Sequence, residues 1–366
     1  MIFLASPLAQ YRTHKVAIDA AVSRVMERGL YVLGEEVAAF ERAFAQYCQC
    51  EYAVGVASGT DALILTLRAL GIGPSCEVIT VSHTAIATVS AVLAVGAIPV
   101  LVDVDPVHYT IDPATFELAL TERTKAIIAV HLYGQSADID TIKVFANRHG
   151  LFLIEDCAQA AGGTYAGMPV GGFGEAACFS FYPTKNLGAI GDGGMVVTSD
   201  LEIAKRVRRL RQYGWDERGQ TCSIGVNSRL DEIQAAILAA KLLSLDTDNN
   251  RRAELAARYA DGLAGLPITV PQTRPEARHV FHLYVVACDD RDALRSHLAS
   301  VEIESRMHPP LPVHRHEGYA QRVRLAGELT VTDRLAARIL SLPMYPELAE
   351  QEVDRVIMTI RSYYSG

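Results

Sequence analysis

Between about residue 30 and residue 200, short apolar runs alternate with stretches whose apolar residues recur at helical spacing. In the first such stretch, residues 34–48, Val37, Phe40, Phe44 and Cys48 fall on one helical face. Strand-like runs follow at 53–56, 77–81, 98–102, 126–130 and 151–154, each separated from the next by a helix-length segment. Asp112 followed by Pro113 reads as an N-cap with proline at the first helical position. Two further strands are expected at 178–181 and 195–198, then helices at 201–210 and 229–245. This alternation predicts an α/β layer built on a mostly parallel sheet.

The pattern changes register in the polar run Asp246 to Arg252 (DTDNNRR). We expect a boundary there, between a large domain over 1–245, N-terminal segment included, and a smaller C-terminal α+β domain over 246–366. In the latter the pattern predicts strands at 281–287 and 301–305, with helices at 290–298, 333–340 and 352–361.

Composition narrows the functional classes. Half of the 366 residues are hydrophobic and 21% are charged, which suits a globular chain with a sizeable core. A net charge of −8 argues against broad nucleic-acid or anionic-membrane surfaces, since both need clustered Lys and Arg. No basic n-region precedes an apolar stretch, and no apolar run nears the roughly 18 residues of a spanning helix. The seven cysteines are scattered without a C-x-x-C pair, so reduced thiols and a cytoplasmic setting are expected.

Three patches place polar residues or glycine where packing would prefer apolar groups. Ala57-Ser58-Gly59-Thr60-Asp61 joins a strand to a helix. It reads either as an ordinary N-cap or as a phosphate site at a helix N-terminus, with Thr60 adding a hydroxyl. Glu155-Asp156-Cys157-Ala158-Gln159 follows a strand. Asp156 there either caps the next helix or sits at the sheet's mouth, where it can hold a pyridine nitrogen protonated. In Phe179-Ser180-Phe181-Tyr182-Pro183-Thr184-Lys185, a lysine leads into a loop holding Gly188, Gly191, Gly193 and Gly194. A desolvated lysine in that setting is a Schiff-base nucleophile, whereas an ordinary one is a solvated surface residue.

Taken in order, SGTDAL, EDCAQA, SFYPTKNLGAIGDGG and GVNSRLDEIQAA resemble the DegT/DnrJ/EryC1/StrS sugar aminotransferases, and the similarity runs from YVLGEEVAAFE to SLPMYPEL. The resemblance implies a fold type I transferase dependent on pyridoxal 5′-phosphate (PLP), cycling through pyridoxamine 5′-phosphate (PMP), and a homodimer with active sites at the subunit interface. It implies that Lys185 carries the cofactor as a Schiff base and shuttles protons. Asp156 would pair with the pyridinium nitrogen, Gln159 would lie near O3′, and His83 would stack on the ring. Gly59, Thr60 and Ser180 would hold the phosphate, with Asn227 reaching in from the other subunit.

The amino donor implied is glutamate and the acceptor a nucleotide-linked ketosugar. YVLGEEVAAFE, VHLYGQSADID and the Lys185 segment look most like enzymes that aminate C3 of dTDP-3-keto-6-deoxyhexoses, with a C4 enzyme acting on UDP- or GDP-sugars as the alternative. Ala85, His308, His314 and Tyr319 are the expected substrate residues. Two departures bear on the sugar: Ala85 stands where many relatives carry an aromatic residue, and Pro309 where they often carry tyrosine. The neighbouring His308, His314 and His316 lie in a proline-rich loop without nearby Cys or an acidic cluster, so substrate-lining or solvated side chains are expected rather than a metal. A sugar dehydratase of the same family carries histidine at the lysine position, which Lys185 opposes. A PLP-fold protein that binds without turnover is opposed by the joint presence of Asp156, Gln159, Ser180, Lys185 and Asn227.

Overall fold

A strand that is apolar on both faces is stable only inside a sheet covered by helices on each side. Residues 77–81 and 98–102 are of this kind, and in the computed structural model, which describes residues 1–366, both are strands with the expected bounds. The strands are β1 (Tyr52–Val56), β2 (Glu77–Val81), β3 (Ile98–Val102), β4 (Thr124–Val130), β5 (Phe152–Asp156), β6 (Thr164–Tyr165), β7 (Met168–Pro169), β8 (Ala176–Ser180), β9 (Gly194–Thr198), β10 (Ala277–Arg278), β11 (Tyr284–Ala287), β12 (Arg324–Leu325) and β13 (Ile339–Leu342).

Eight of them form one sheet in the order β1-β9-β8-β5-β4-β2-β3-β12. Only β9 runs against the rest, pairing antiparallel with β1 and β8. The C-terminal ends of β1, β2, β4, β5 and β8 therefore open on one edge, together with the start of β9. Registry fixes the neighbours there: Gly194 lies opposite both Val56 and Ser180, and Asp156 opposite both Val130 and Cys178.

The helices follow from caps and apolar faces. Ser58 caps the helix Gly59–Ala69 by accepting from the Asp61 N–H at 3.1 Å, and Asp138 caps Ile139–His149, which Gly150 ends at φ 63°. Phe40 and Phe44 of the helix Glu35–Tyr47 meet Phe179 and Phe181 edge-on, with Phe44 and Phe179 centroids 4.9 Å apart. That aromatic cluster supports the turn that carries Lys185. No helix is long and apolar enough to cross a membrane.

The C-terminal part packs β11 antiparallel to β13 beneath the helices Leu245–Leu263, Arg291–Ser300 and Glu350–Ser365. Three expectations change here. Residues 246–252 lie inside the continuous helix Leu245–Leu263. The run 301–305 forms a single bridge, Ile303 to Ile2, because its partner is the chain's own N-terminal segment. The helix expected to reach Leu340 stops at Arg338, and Ile339 opens β13. Ile2 joins the C-terminal apolar core, and β12 joins the edge of the main sheet, so both ends of the chain cross the expected boundary.

Candidate active site

At the sheet's open edge a cavity of about 250 Å³ is lined by Gly59, Thr60, Asp156, Gln159, Ser180 and Lys185, among others. These residues come from three separate strand ends, those of β1, β5 and β8. Asp156 is the last residue of β5, 5% exposed, and it accepts from the Thr88 hydroxyl at 2.8 Å and from the Ala158 N–H at 3.2 Å. No helix follows it, so the helix-cap reading falls. Burial raises its pKa, opposed by the Thr88 hydroxyl and more weakly by the charge of Lys185. A buried carboxylate so placed is completed by a cationic N–H.

Lys185 closes a turn in which its N–H donates to the Tyr182 carbonyl at 2.8 Å. Gly188 is required there, since a Cβ would lie 2.5 Å from the Pro183 carbonyl oxygen. Desolvation pulls the Lys185 amine down to about 8, against the pull of Asp156, which favours its charge.

The first patch is a cap whose helix end is also open to the cavity. Ser58 spends its hydroxyl on the Asp61 N–H, which leaves the Gly59 and Thr60 end of the helix facing the cavity with the helix dipole behind it. A Cβ on Gly59 would stand 2.7 Å from that of Ser180, and one on Gly194 would stand 2.3 Å from the Ser58 carbonyl. The two glycines let three backbone segments converge. Gln159 accepts from the Tyr133 N–H at 2.7 Å through Oε1, so its amide N–H groups are left to donate into the cavity. A phosphate-bearing pyridine fits this set: N–H donors and a hydroxyl at one end, a buried carboxylate at the other, a depressed amine between them.

Other expected residues fall elsewhere. His83 is fully buried and lines neither the cavity of Lys185 nor the side chamber next to it, whereas Thr84 and Ala85 line both. Its ring packs edge-on to Tyr109 and Tyr133, and burial pulls it down to about 4. Tyr133 donates to the His308 carbonyl and so accepts from His83 Nε2 at 2.9 Å. In this conformation the His83 ring is engaged by Tyr109 and Tyr133. Ala85 and His308 line a mostly apolar side chamber of about 260 Å³ with Leu132, Pro309, Leu311 and Val313. His314 and Tyr319 lie outside it: His314 bonds Ser82 at 2.7 Å and faces Asp333, and Tyr319 bonds Ser90 at 2.6 Å. His316, read from sequence as substrate-lining or solvated, lines the chamber. Asn227 is exposed and away from the cavity of its own chain, although the next residue, Ser228, bonds Asp61 at 2.8 Å. Sequence reading missed Thr88, whose signal is a hydroxyl one helical turn after Thr84 in a helix whose only other polar residue is Ser90.

The family model of the DegT/DnrJ/EryC1/StrS aminotransferases matches residues 13–361. This chain belongs to that family. It is 48% identical to the dTDP-3-amino-3,4,6-trideoxy-alpha-D-glucose transaminase of Streptomyces venezuelae over 97% of this chain and 94% of that protein. Its fold superposes with a TM-score of 0.97 on S. venezuelae DesV, solved in complex with a ketimine intermediate, at 47% identity over 100% and 99% of the two chains. Bacillus subtilis ntda, solved with bound cofactor PMP, gives a TM-score of 0.89 at 30% identity over 97% of this chain and 82% of that one. The chain is thus an aminotransferase with the large mostly parallel sheet of its family.

Proposed function

We propose that this protein moves an amino group from glutamate to C3 of a dTDP-linked 3-keto-6-deoxyhexose, using PLP held in the cavity beside Lys185. The observation that carries the reading is the meeting of Lys185, Asp156 and the Gly59 helix end in one cavity. The activity of the Streptomyces relative supports the keto position. In this reading the Gly59 and Thr60 N–H groups and the Ser180 hydroxyl bind the phosphate, with Asn227 of a second copy completing the site. Asp156, held by Thr88, accepts a hydrogen bond from the pyridine nitrogen and keeps it protonated. Gln159 donates toward the ring oxygen. When bound, PLP supplies an electron sink for negative charge at the substrate carbon.

Lys185, with its amine near neutrality, takes and returns the proton at the substrate carbon. The walls formed by Tyr182, Ala85 and the His308–Pro309 loop exclude water from that transfer. We place the division of labour at residue 245: residues 1–245 hold the cofactor, and residues 246–366 supply His308 and the chamber wall. The enzyme working as a homodimer in the cytoplasm belongs to the same reading.

The test incubates the PLP-loaded enzyme with glutamate and paired 3-keto and 4-keto nucleotide sugars, then assigns the amine-bearing carbon by NMR. Amination at C3 of the dTDP sugar is expected. Amination at C4 alone overturns the substrate assignment, and no spectral change with glutamate overturns turnover itself.

A further inference from the structure

A lysine buried in an α/β fold without a carboxylate partner needs another reason to be there. Lys241, in the helix Glu232–Leu242, is 6% exposed and bonds no acid. Its ammonium donates to the Gly188 carbonyl and, at 2.6 Å, to Gln10 Oε1. Gln10, itself buried in the helix Pro7–Thr13, turns its Nε2 toward the Asn186 carbonyl at 3.4 Å. These two carbonyls lie one and three residues after Lys185. The Asn186 side chain is held in turn, donating to Asn249 at 2.7 Å and to the Val280 carbonyl at 2.9 Å, and meeting His282 at 3.2 Å.

Around Lys241 lie Asp248 and Glu347, which favour its charge, and Arg252, which opposes it; His14 stands 3.6 Å from Asp248. Burial brings the amine down to about 8, so it is an ammonium ion at neutral pH. The loop from Phe181 to Ala189 is closed by the Ala189 N–H donating to the Phe181 carbonyl at 2.8 Å and, within it, by the Lys185 N–H donating to the Tyr182 carbonyl at 2.8 Å, so a hold on Gly188 is transmitted to Lys185.

The segment that brings Gln10 is also tied to the opposite wall of the site. Ile2 N–H donates to the Glu302 carbonyl at 2.8 Å, Leu4 N–H to the Glu304 carboxylate at 3.0 Å, and Met344 N–H to the Leu4 carbonyl at 3.1 Å. Glu304, Arg306 and His308 share a cavity of about 440 Å³ with Lys185.

We propose that Lys241 and Gln10 are positioning residues for Lys185: the buried ammonium and the amide bind the two carbonyls behind the lysine turn and fix where its amine points. The proposal rests on Lys185 being the cofactor lysine. Neither residue touches the cavity chemistry, and each acts through the turn. A displacement of about 1 Å at a reacting group lowers rate about a hundredfold, so a loosened turn is read in kcat rather than in KM.

The experiment compares Lys241→Met, Gln10→Leu and the double variant with wild type. In the apoprotein, competitive acetylation followed by peptide mass spectrometry measures the reactivity of Lys185 against that of exposed Lys205. In the loaded enzyme, kcat and KM for the ketosugar are measured, with circular dichroism to establish folding. We expect folded variants with altered relative reactivity of Lys185, kcat lower by about tenfold to a hundredfold, KM nearly unchanged, and a double variant no worse than the worse single one. If Lys241→Met does not fold, Gln10→Leu alone decides by the same readouts. Wild-type Lys185 reactivity and kcat in the folded variants overturn the proposal. Lys185→Ala is the separate control: transamination surviving there refutes the role of Lys185 itself, while a dead Lys185→Ala beside a normal Lys241→Met refutes only the positioning role.

Discussion

Asp156 is buried and Lys185 half-buried beside it, and the two push each other's protonation in useful directions. Desolvation disfavours the lysine's charge and the aspartate's charge alike, while each charge attracts the other. The lysine's balance settles near 8, below its ordinary 10.5, so the neutral amine that attacks a carbonyl grows in as pH rises through about 8. In apoprotein, acetylation of Lys185 should follow that midpoint. Asp156→Asn removes the attraction that favours the ammonium, so its midpoint should move lower still. A Lys185 titrating like an exposed lysine would show that the pocket does not desolvate it. In the loaded enzyme the same substitution should retain the cofactor and lower kcat at least about a hundredfold, on the order of 3 kcal/mol, because an amide cannot hold the pyridine nitrogen protonated. A near-normal kcat would reduce Asp156 to an acceptor for Thr88 and Ala158.

At the scale of elements, the cofactor end of the cavity depends on strand β9 passing close behind the helix Gly59–Ala69. A methyl group on Gly194 would have to occupy space 2.3 Å from the Ser58 carbonyl. Gly194→Ala should therefore push the Ser58–Gly59 turn outward, weakening PLP binding and destabilising the fold by about 1–3 kcal/mol. Gly73→Ala, whose Cβ meets only the Val95 carbonyl at 3.6 Å, is the control, and equal Tm and PLP affinity in the two variants would refute this account. Such close approaches explain what the sequence made legible. Glycines and polar groups at the ends of apolar strands announced Gly59, Asp156 and Lys185, because nothing about packing alone calls for them. The largely apolar strands β2 and β3 were legible to the residue for the converse reason. Partners far apart in the chain were not: Thr88 reaches Asp156 across 68 residues, and Lys241 reaches Gln10 across 231. The apolar run ending at Leu340 fits a helix or a strand equally well until β11 is seen beside it. For His83 the resemblance gives a position, but the sequence says nothing of which way the ring turns, and here it packs against Tyr109 and Tyr133.

At the scale of the whole molecule, the cavity of one chain lacks the asparagine that its family resemblance assigns to the phosphate. Asn227 stands on the surface in a segment that also exposes Tyr213, Trp215 and, at 88%, Ile224. Leu30, Tyr31 and Val32 add further exposed apolar surface, with Val32 bridged to Asp231 just beyond that segment. Apolar side chains gathered in this way favour burial against another surface. Ser228, one residue on, is bonded to Asp61 and to the Ala57 N–H at 3.1 Å, which ties the exposed segment to the phosphate turn of its own chain. An isologous pairing through this face would present each Asn227 to the other copy's cavity and so couple two sites that neither chain completes alone. We propose that assembly, and it makes a specific demand on mixed subunits. Lys185→Ala abolishes the proton-transferring amine of its own site, and Asn227→Asp sets a carboxylate against the phosphate of the partner's site. Each homodimer should be inactive or nearly so. In a heterodimer the two lesions fall on the same site, because the Lys185→Ala cavity receives the altered residue while the other cavity keeps Lys185 and receives a normal Asn227. Mixing the two variants after mild denaturation and refolding should therefore restore activity approaching a quarter of wild type per total subunit, about half of the dimers being hybrid with one working site each. Sedimentation should show dimers throughout. Failure of the mixture to regain activity, with subunit exchange verified by mass, would place Asn227 outside the partner's site, and a fully active monomer would remove the shared-site assembly altogether.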